Sequence, residues 1–194
     1  MLVWIDLEMT GLDPRRHTIV EIATLITDDD LTIIEEGPDL VIGATAEQLE
    51  TMDAVVKNMH TRSGLIEEIR RSPITVEAAA EQTLQFIQKH ISAAGAVPLC
   101  GNSIGTDRRF LAEYMPEIEN YLHYRSVDVS SIKELGKRWF PEAIKNAPSK
   151  SRGHRAMDDI KESVVELQFY REHLFRQQGE ATVAGKSEEA AISN

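Results

Sequence analysis

The chain has 194 residues, a size at which one domain buries most of its apolar surface without disulfides or structural metals. Its single cysteine, Cys100, excludes an internal disulfide framework and a zinc knuckle, and it fits a reducing compartment. The formal net charge of -11 argues against a protein that coats long nucleic acids, because such binding needs many Lys and Arg contacts to phosphates. A short bound substrate remains compatible with this charge.

The N-terminal part of the sequence shows strand patterns. Apolar runs bounded by turn residues predict three strands, at residues 2–7, 19–27 and 31–42, the last interrupted near Gly37–Pro38. Short turns rich in Gly, Pro and Asp separate the runs. The pattern therefore predicts an antiparallel meander at the N-terminus.

From about residue 46 the apolar period becomes helical and then alternates with short strand patterns. Helices are predicted at residues 46–59, 64–71, 75–91, 106–115, 130–139 and 155–175, and strands at 97–100 and 124–129. Strands followed by alternating helices and strands predict an α/β fold in which helices flank a mixed β-sheet.

Residues 1–176 are expected to form a single domain. Residues 177–194 are rich in Ala, Glu, Gly and Ser and poor in large apolar residues, so they are expected to be a disordered tail. No run approaches the roughly 20 apolar residues of a membrane helix. We therefore expect a cytoplasmic protein.

Two acids on the first predicted strand point to a metal site. Asp6 and Glu8 are two residues apart, so their side chains share one face of the strand and form a divalent-metal half-site. The alternative is an exposed strand face with incidental acids. Gly11 and Pro14 weaken that alternative, because they follow the strand's end, where α/β folds place their ligands.

Two acids on predicted helices would complete the site. Asp107 shares its helix face with Phe110 and Leu111, and an inward-facing carboxylate needs a partner or a metal. A favourable interaction with the helix dipole is the alternative. At 100° per residue, Asp159 lies on the flank of the apolar face of the last helix, whereas Asp158 points away. Asp159 is therefore the predicted ligand.

His154 precedes the last helix in an entry segment that we expect to be mobile. An imidazole with a pKa of about 6.5 accepts a proton at neutral pH, which suits a general base that activates water; a surface histidine without a role is the alternative. Four carboxylates without a cysteine cluster favour Mg²⁺ or Mn²⁺ over Zn²⁺. Two such ions would hold a phosphodiester for attack by water, giving a 5′-phosphorylated nucleotide. The chain is thus predicted to be a metal-dependent nuclease.

A basic stretch precedes and includes the start of the last helix. Between residues 143 and 155 lie four cations and no acid: Lys145, Lys150, Arg152 and Arg155. We expect this stretch either to meet an anionic ligand or to be a solvated loop.

Three stretches of the sequence resemble the three exonuclease motifs of the DEDDh 3′-to-5′ exonucleases: DLEMTG at 6–11, GNSIGTDRRF at 101–110 and HRAMDDI at 154–160. Within that superfamily the chain closely resembles the oligoribonucleases, over residues 1–175. The resemblance implies a ribonuclease H-like fold and a cytoplasmic homodimer. It also implies 3′-to-5′ hydrolysis of the shortest RNA fragments, dinucleotides above all, to mononucleotides.

The resemblance also assigns roles to individual residues. It implies that Asp6, Glu8, Asp107 and Asp159 bind the two Mg²⁺ or Mn²⁺ ions, with His154 as the general base. The implied substrate-binding residues are an apolar wedge between the two bases, three groups that cap the 5′ phosphate and a tyrosine from the partner protomer. They are, in that order, Leu12, then His60, Ser103 and Arg125, and then Tyr124.

Val55 departs from the family pattern. Oligoribonucleases usually carry a tryptophan five residues before the histidine matched by His60. If that ring stacks on a base, its loss weakens binding by about 1 to 3 kcal/mol. Met52 or Met59 could fill the space instead.

Two other functions stay open. The first is a DEDDh exonuclease that acts on longer DNA or RNA 3′ ends, against which the acidic charge and the cap residues argue. The second is a non-catalytic nucleic-acid-binding module. The presence of all four acids and the histidine argues against that module.

Overall fold

The structure is a computed structural model, and it describes residues 1–149 and 153–175. Within these ranges a five-stranded sheet has the strand order β3-β2-β1-β4-β5. The strands are β1 (Leu2–Met9), β2 (Ile19–Thr27), β3 (Ile33–Val41), β4 (Pro98–Gly101) and β5 (His123–Asp128). The β1–β2 and β2–β3 pairs are antiparallel, and the β1–β4 and β4–β5 pairs are parallel. The predicted N-terminal meander and mixed sheet are thus confirmed.

Helices flank this sheet, as predicted. They are α1 (Ala46–Glu50), α2 (Ala54–Arg62), α3 (Leu65–Arg71), α4 (Val76–His90), α5 (Gly105–Tyr114), α6 (Pro116–Tyr121), α7 (Val129–Trp139), α8 (Pro141–Ile144) and α9 (Ala156–Leu174). None of the helices in the described part of the chain is long and apolar enough to span a membrane. The predicted tail, residues 177–194, lies outside the described residues, as do Lys150 and Arg152.

The single helix predicted at residues 46–59 is wrong, because the structure has two. The N–H of Thr51 donates to the carbonyl of Gln48 and ends α1, and Asp53 starts α2 in an extended conformation. Two short helices, α6 and α8, were also not predicted. Each has proline at its first position, Pro116 or Pro141, which is a helix-start signal.

The edge strand β3 continues through Gly37 and Pro38, where an interruption was predicted. The pairing with β2 shifts register here, so that an extra residue of β3 bulges out. The Phe86 ring packs against Gly37 so closely that a Cβ atom would lie 2.3 Å from it. An edge strand tolerates Pro38 because its N–H side need not pair.

The two faces of β1 contribute to different apolar layers. Val3, Ile5 and Leu7 pack in the layer that includes residues of α4, α5 and α6, whereas Trp4 packs against residues of α9. Because strand residues alternate, the Trp4 face continues at the carboxyl end of β1 with Asp6 and Glu8. There β1 extends beyond β4, which pairs with it only at Val3 and Trp4.

Candidate active site

Glu8 is a largely buried acid at the carboxyl end of β1. Only 12% of its side chain is exposed. Burial, followed by the nearby negative charges of Asp159, Glu21 and Asp107, raises the pKa of the Glu8 carboxyl to about 8. A carboxyl whose pKa is raised by neighbouring acids binds cations favourably, since an added positive charge relieves the repulsion.

Asp107 lies in the first turn of α5 and is buried, as its place on the apolar face predicted. The backbone N–H of Leu7, between Asp6 and Glu8, donates to Asp107 Oδ1 at 3.1 Å. This bond joins the start of α5 to the part of β1 that extends beyond β4. Burial raises the pKa of the Asp107 carboxyl to about 7.

The start of α9 brings the third motif to β1. Glu8, His154 and Asp159 each offer a ligand atom, and these atoms lie within 4.8 Å of one another. Asp159 is half-buried, whereas Asp158 is exposed, and the role of Asp159 as a metal ligand stays a prediction. Asp6 shares the β1 face of Glu8 but lies outside this group of three, as does Asp107.

These donors fit a hard divalent cation. Carboxylate oxygens predominate, and no cysteine takes part, because Cys100 is buried in the apolar layer that contains Trp4. Mg²⁺ and Mn²⁺ prefer such oxygen ligands. The structure therefore provides residues suited to the ions that the sequence predicted.

Leu12 lies in a well-supported turn after β1, and 65% of the Leu12 surface is exposed. The His17 ring packs against Gly11 so tightly that a Cβ atom would lie 2.5 Å from it, and His17 Nδ1 accepts from the N–H of Asp13. The Tyr114 hydroxyl donates towards the carbonyl of His17 at 2.6 Å. The turn thus presents an apolar side chain to solvent, as a wedge between bases requires.

Ser103, Tyr124 and Arg125 are exposed; Ser103 follows the carboxyl end of β4, whereas Tyr124 and Arg125 lie at the start of β5, which runs parallel to β4. Ser103 has a left-handed backbone (φ 55°), and its N–H donates to Asp128 Oδ1 at 2.9 Å. The Arg125 guanidinium lies 5.6 Å from the centre of the Tyr124 ring, and 77% of Tyr124 is exposed. These side chains are therefore accessible to a ligand.

His60 lies in a different environment from the other predicted cap residues. It is fully buried, with Nε2 2.9 Å from the carbonyl oxygen of Met9 and Nδ1 3.8 Å from Glu8 Oε2. Burial lowers the pKa of its imidazole. The structure thus places His60 against Glu8, and its contact with a 5′ phosphate stays a prediction.

Val55 occupies an exposed position on α2, with 71% of its surface accessible. Met52 is buried, so it does not replace a solvent-facing ring. A base placed at this position would meet the small aliphatic side chain of Val55 rather than an aromatic ring.

The basic stretch before α9 is partly neutralised within the protein. Arg155 forms ion pairs with Glu21 and Glu68, and Lys145 pairs with Glu142. The expectation that Arg155 meets an anionic ligand is therefore not supported. The sequence pattern did not reveal this pairing, because Glu21 lies 134 residues from Arg155.

This chain is similar in sequence to known exonucleases and oligoribonucleases. A family model described as Exonuclease matches residues 3–167. An oligoribonuclease of Vibrio vulnificus is 54% identical over 175 residues, which cover 90% of this chain and 96% of the relative. An oligoribonuclease of Corynebacterium glutamicum is 53% identical over 174 residues, covering 90% of this chain and 80% of the relative.

Solved structures agree in fold. A zinc-bound complex of Escherichia coli exonuclease I with single-stranded DNA superposes with a TM-score of 0.68 at 15% identity. The match covers 89% of this chain and 40% of that chain. Exonuclease I from Methylocaldum szegediense gives a TM-score of 0.59 at 20% identity, with 89% and 40% covered. This chain thus spans about two fifths of those proteins and has the fold of their matched portion.

Proposed function

Because the chain belongs to the exonuclease family, and within it to the oligoribonucleases, we propose that it hydrolyses chiefly 5′-phosphorylated RNA dinucleotides to 5′-mononucleotides. It is a metal-dependent 3′-to-5′ exoribonuclease that acts on short RNA. The observation that carries the catalytic part of the proposal is the approach of Glu8, His154 and Asp159 to within 4.8 Å. These three residues come from two distant motifs, at β1 and at the start of α9.

We assign the metal ligands to Asp6, Glu8, Asp107 and Asp159, and the ions to Mg²⁺ or Mn²⁺. When bound, two such ions lower the pKa of an attacking water and stabilise the negative charge on the leaving oxygen. The protein supplies the acids on a strand and two helix starts, so that their positions are fixed before substrate arrives.

His154 acts as the general base in this proposal. Its imidazole lies within 4.8 Å of the Glu8 and Asp159 carboxylates, close to where the scissile linkage would be held. One ring nitrogen accepts the proton from the attacking water, and the proton then leaves to solvent.

Preference for the shortest RNA follows from the proposed cap. A terminal phosphate carries a charge that an internal phosphodiester lacks, and guanidinium and hydroxyl donors recognise that charge by charge-assisted hydrogen bonds. Arg125 and Ser103 are exposed and supply these groups, and Leu12 supplies the wedge. A longer strand would have to continue through the cap, which these residues would obstruct.

The proposal is tested by comparing turnover of a 5′-phosphorylated RNA dinucleotide with that of a 20-nucleotide RNA and a 20-nucleotide DNA, each with Mn²⁺ and with excess chelator. We expect faster turnover of the dinucleotide and none with chelator. Faster turnover of a long strand would favour an exonuclease of longer 3′ ends. Binding without cleavage of any substrate would indicate a non-catalytic module.

Arg125→Ala is expected to impair 5′-phosphorylated dinucleotides much more than unphosphorylated ones. A hydrogen bond to a charged group contributes about 1.5 to 3 kcal/mol, so kcat/KM for the phosphorylated substrate should fall by about 10- to 100-fold. The measurement is kcat/KM for both substrates, with Arg109→Ala as a control, an exposed arginine on α5. Equal losses for both substrates would exclude the cap role of Arg125.

A homodimer is part of the proposal. Leu135, Trp139, Phe140 and Phe175 are exposed apolar side chains that line a groove of about 160 Å³ between α7 and the end of α9. Exposed apolar patches of this kind mark protein contacts, and Tyr124 is free to reach a partner's site. Light scattering should give about twice the chain mass of 21.8 kDa, and a monomer would contradict the proposal.

The reduced, buried Cys100 supports a cytoplasmic location, which cell fractionation tests.

A further inference from the structure

Glu21 is an acid on β2 to which the proposed mechanism assigns no role. It is fully buried and lies directly opposite Glu8 in the antiparallel pairing of β1 with β2. Like charges at opposed positions destabilise a sheet, and a buried carboxylate requires compensation. A glutamate at this position therefore needs a physical reason.

Both oxygens of Glu21 are bound by the start of α9. Arg155 Nε donates to Oε1 at 2.8 Å, and the backbone N–H of Ala156 donates to Oε2 at 3.1 Å. Burial raises the pKa of the Glu21 carboxyl, whereas these two hydrogen bonds and the charge of Arg155 lower it. Glu21 thus also satisfies the first N–H of a helix whose N-cap side chain, that of Arg155, does not cap it.

The outer end of Arg155 is held as well. Its two terminal nitrogens donate to the two carboxylate oxygens of Glu68, on α3, at 2.9 and 3.0 Å. Such a bidentate pair fixes orientation as well as contributing energy. The arginine is thus tied both to the sheet and to a neighbouring helix.

Arg155, with its bonds to Glu21 and Glu68, forms a tether that lies between two proposed catalytic groups. His154 directly precedes Arg155 and has a left-handed backbone (φ 49°), which costs energy in a residue other than glycine and persists only where its surroundings impose it. The N–H of Asp159 donates to the carbonyl of Arg155 at 2.9 Å. One peptide bond therefore joins Arg155 to His154, and one hydrogen bond connects Arg155 to Asp159.

We propose that Glu21, acting through Arg155 and Ala156, is a positioning residue that holds His154 and Asp159 against Glu8. The inference rests on the proposed function, which supplies the roles of those three residues. The strand register that places Glu8 also places its neighbour Glu21, so the β1–β2 pairing sets both sides of the site. The positive charge of Arg155 in turn compensates the negative charge of Glu21, which lies beside Glu8.

The test variant is Glu21→Gln, which keeps the size and a hydrogen-bond acceptor but loses the charge. Loss of such outer partners typically costs about 10- to 100-fold in activity or metal affinity. At saturating Mn²⁺ we expect kcat on an RNA dinucleotide to fall by that factor with KM changed by less than about twofold. We also expect weaker binding of Mn²⁺ alone, measured by calorimetry on metal-free protein.

Glu36→Gln is the matched control. Glu36 is also a sheet carboxylate that pairs with α9, through Lys161, but it lies away from the His154–Ala156 segment. This variant should keep kcat and Mn²⁺ affinity. A wild-type melting temperature for Glu21→Gln would separate positioning from loss of the folded state.

The inference is overturned if folded Glu21→Gln retains kcat and Mn²⁺ affinity within twofold, or if only KM changes. If Glu21→Gln does not fold, Arg155→Lys replaces it, since that side chain is 29% exposed and lysine keeps the charge without the fork. The same losses in Arg155→Lys would support the inference, and their absence would overturn it. Failure of the wild-type protein to cleave RNA would refute the proposed function instead, while the Mn²⁺ titration would still report on the positioning of Asp159.

Discussion

Asp159→Asn is expected to lower kcat on an RNA dinucleotide by about a thousandfold or more, whereas Asp158→Asn should keep nearly full activity. Stabilisation of the reacting phosphate by bound metal amounts to several kcal/mol, and each 1.36 kcal/mol corresponds to about tenfold in rate. Asp159 lies within 4.8 Å of Glu8 and His154, while Asp158 is exposed on the same turn of α9. Asp158→Asn is therefore a control that makes the same chemical change at the adjacent residue.

The Asp159 variant should fold without difficulty. The negative charge of Asp159 contributes to raising the pKa of Glu8, so its removal relieves repulsion in the metal-free protein. We expect an equal or higher melting temperature without metal and a smaller gain on adding Mn²⁺. Full activity in Asp159→Asn together with its loss in Asp158→Asn would show that the other carboxylate is the ligand.

His154→Gln is expected to lower kcat by about a hundredfold to ten-thousandfold, the usual contribution of a general base. Glutamine keeps a polar side chain at the start of α9 but cannot take up the proton of the attacking water. His90→Gln serves as the control, because His90 lies at the end of α4 and pairs with Glu35. The measurement is single-turnover cleavage of dinucleotide at saturating Mn²⁺.

The same variant separates two roles for this histidine, because its imidazole lies close enough to Glu8 and Asp159 to bind a metal itself. A base that is not a ligand predicts Mn²⁺ affinity within about threefold of wild type. A large loss of Mn²⁺ affinity in His154→Gln would make His154 a ligand, and unchanged kcat would remove it from the mechanism.

Local periodicity was enough to predict the parts of the site that lie within single elements. Strand alternation placed Asp6 and Glu8 on one face of β1, and the helical period separated Asp159 from Asp158. The inward direction of Asp107 followed from the apolar residues of its own helix. Each of these predictions needed only the geometry of one strand or one helix.

Features that depend on distant partners could not be predicted in this way. Nothing near Arg155 in sequence indicates that Glu21 binds it, because β2 and the start of α9 meet only in the folded protein. The support of the Leu12 turn by Tyr114 is similarly non-local. The break between α1 and α2 falls within a continuous helical pattern, and tertiary packing of Met52 accompanies it. The proposed cap residues were assigned only through family resemblance.

In the proposed site, acids from three separate motifs form one metal-binding centre. Anomalous diffraction from crystals of the protein soaked in Mn²⁺ tests it most directly. We predict manganese density enclosed by the carboxylates of Asp6, Glu8, Asp107 and Asp159, lost in Asp159→Asn crystals. Crystals without manganese at these carboxylates, or with manganese bound elsewhere while the protein still cleaves RNA, would exclude this metal site.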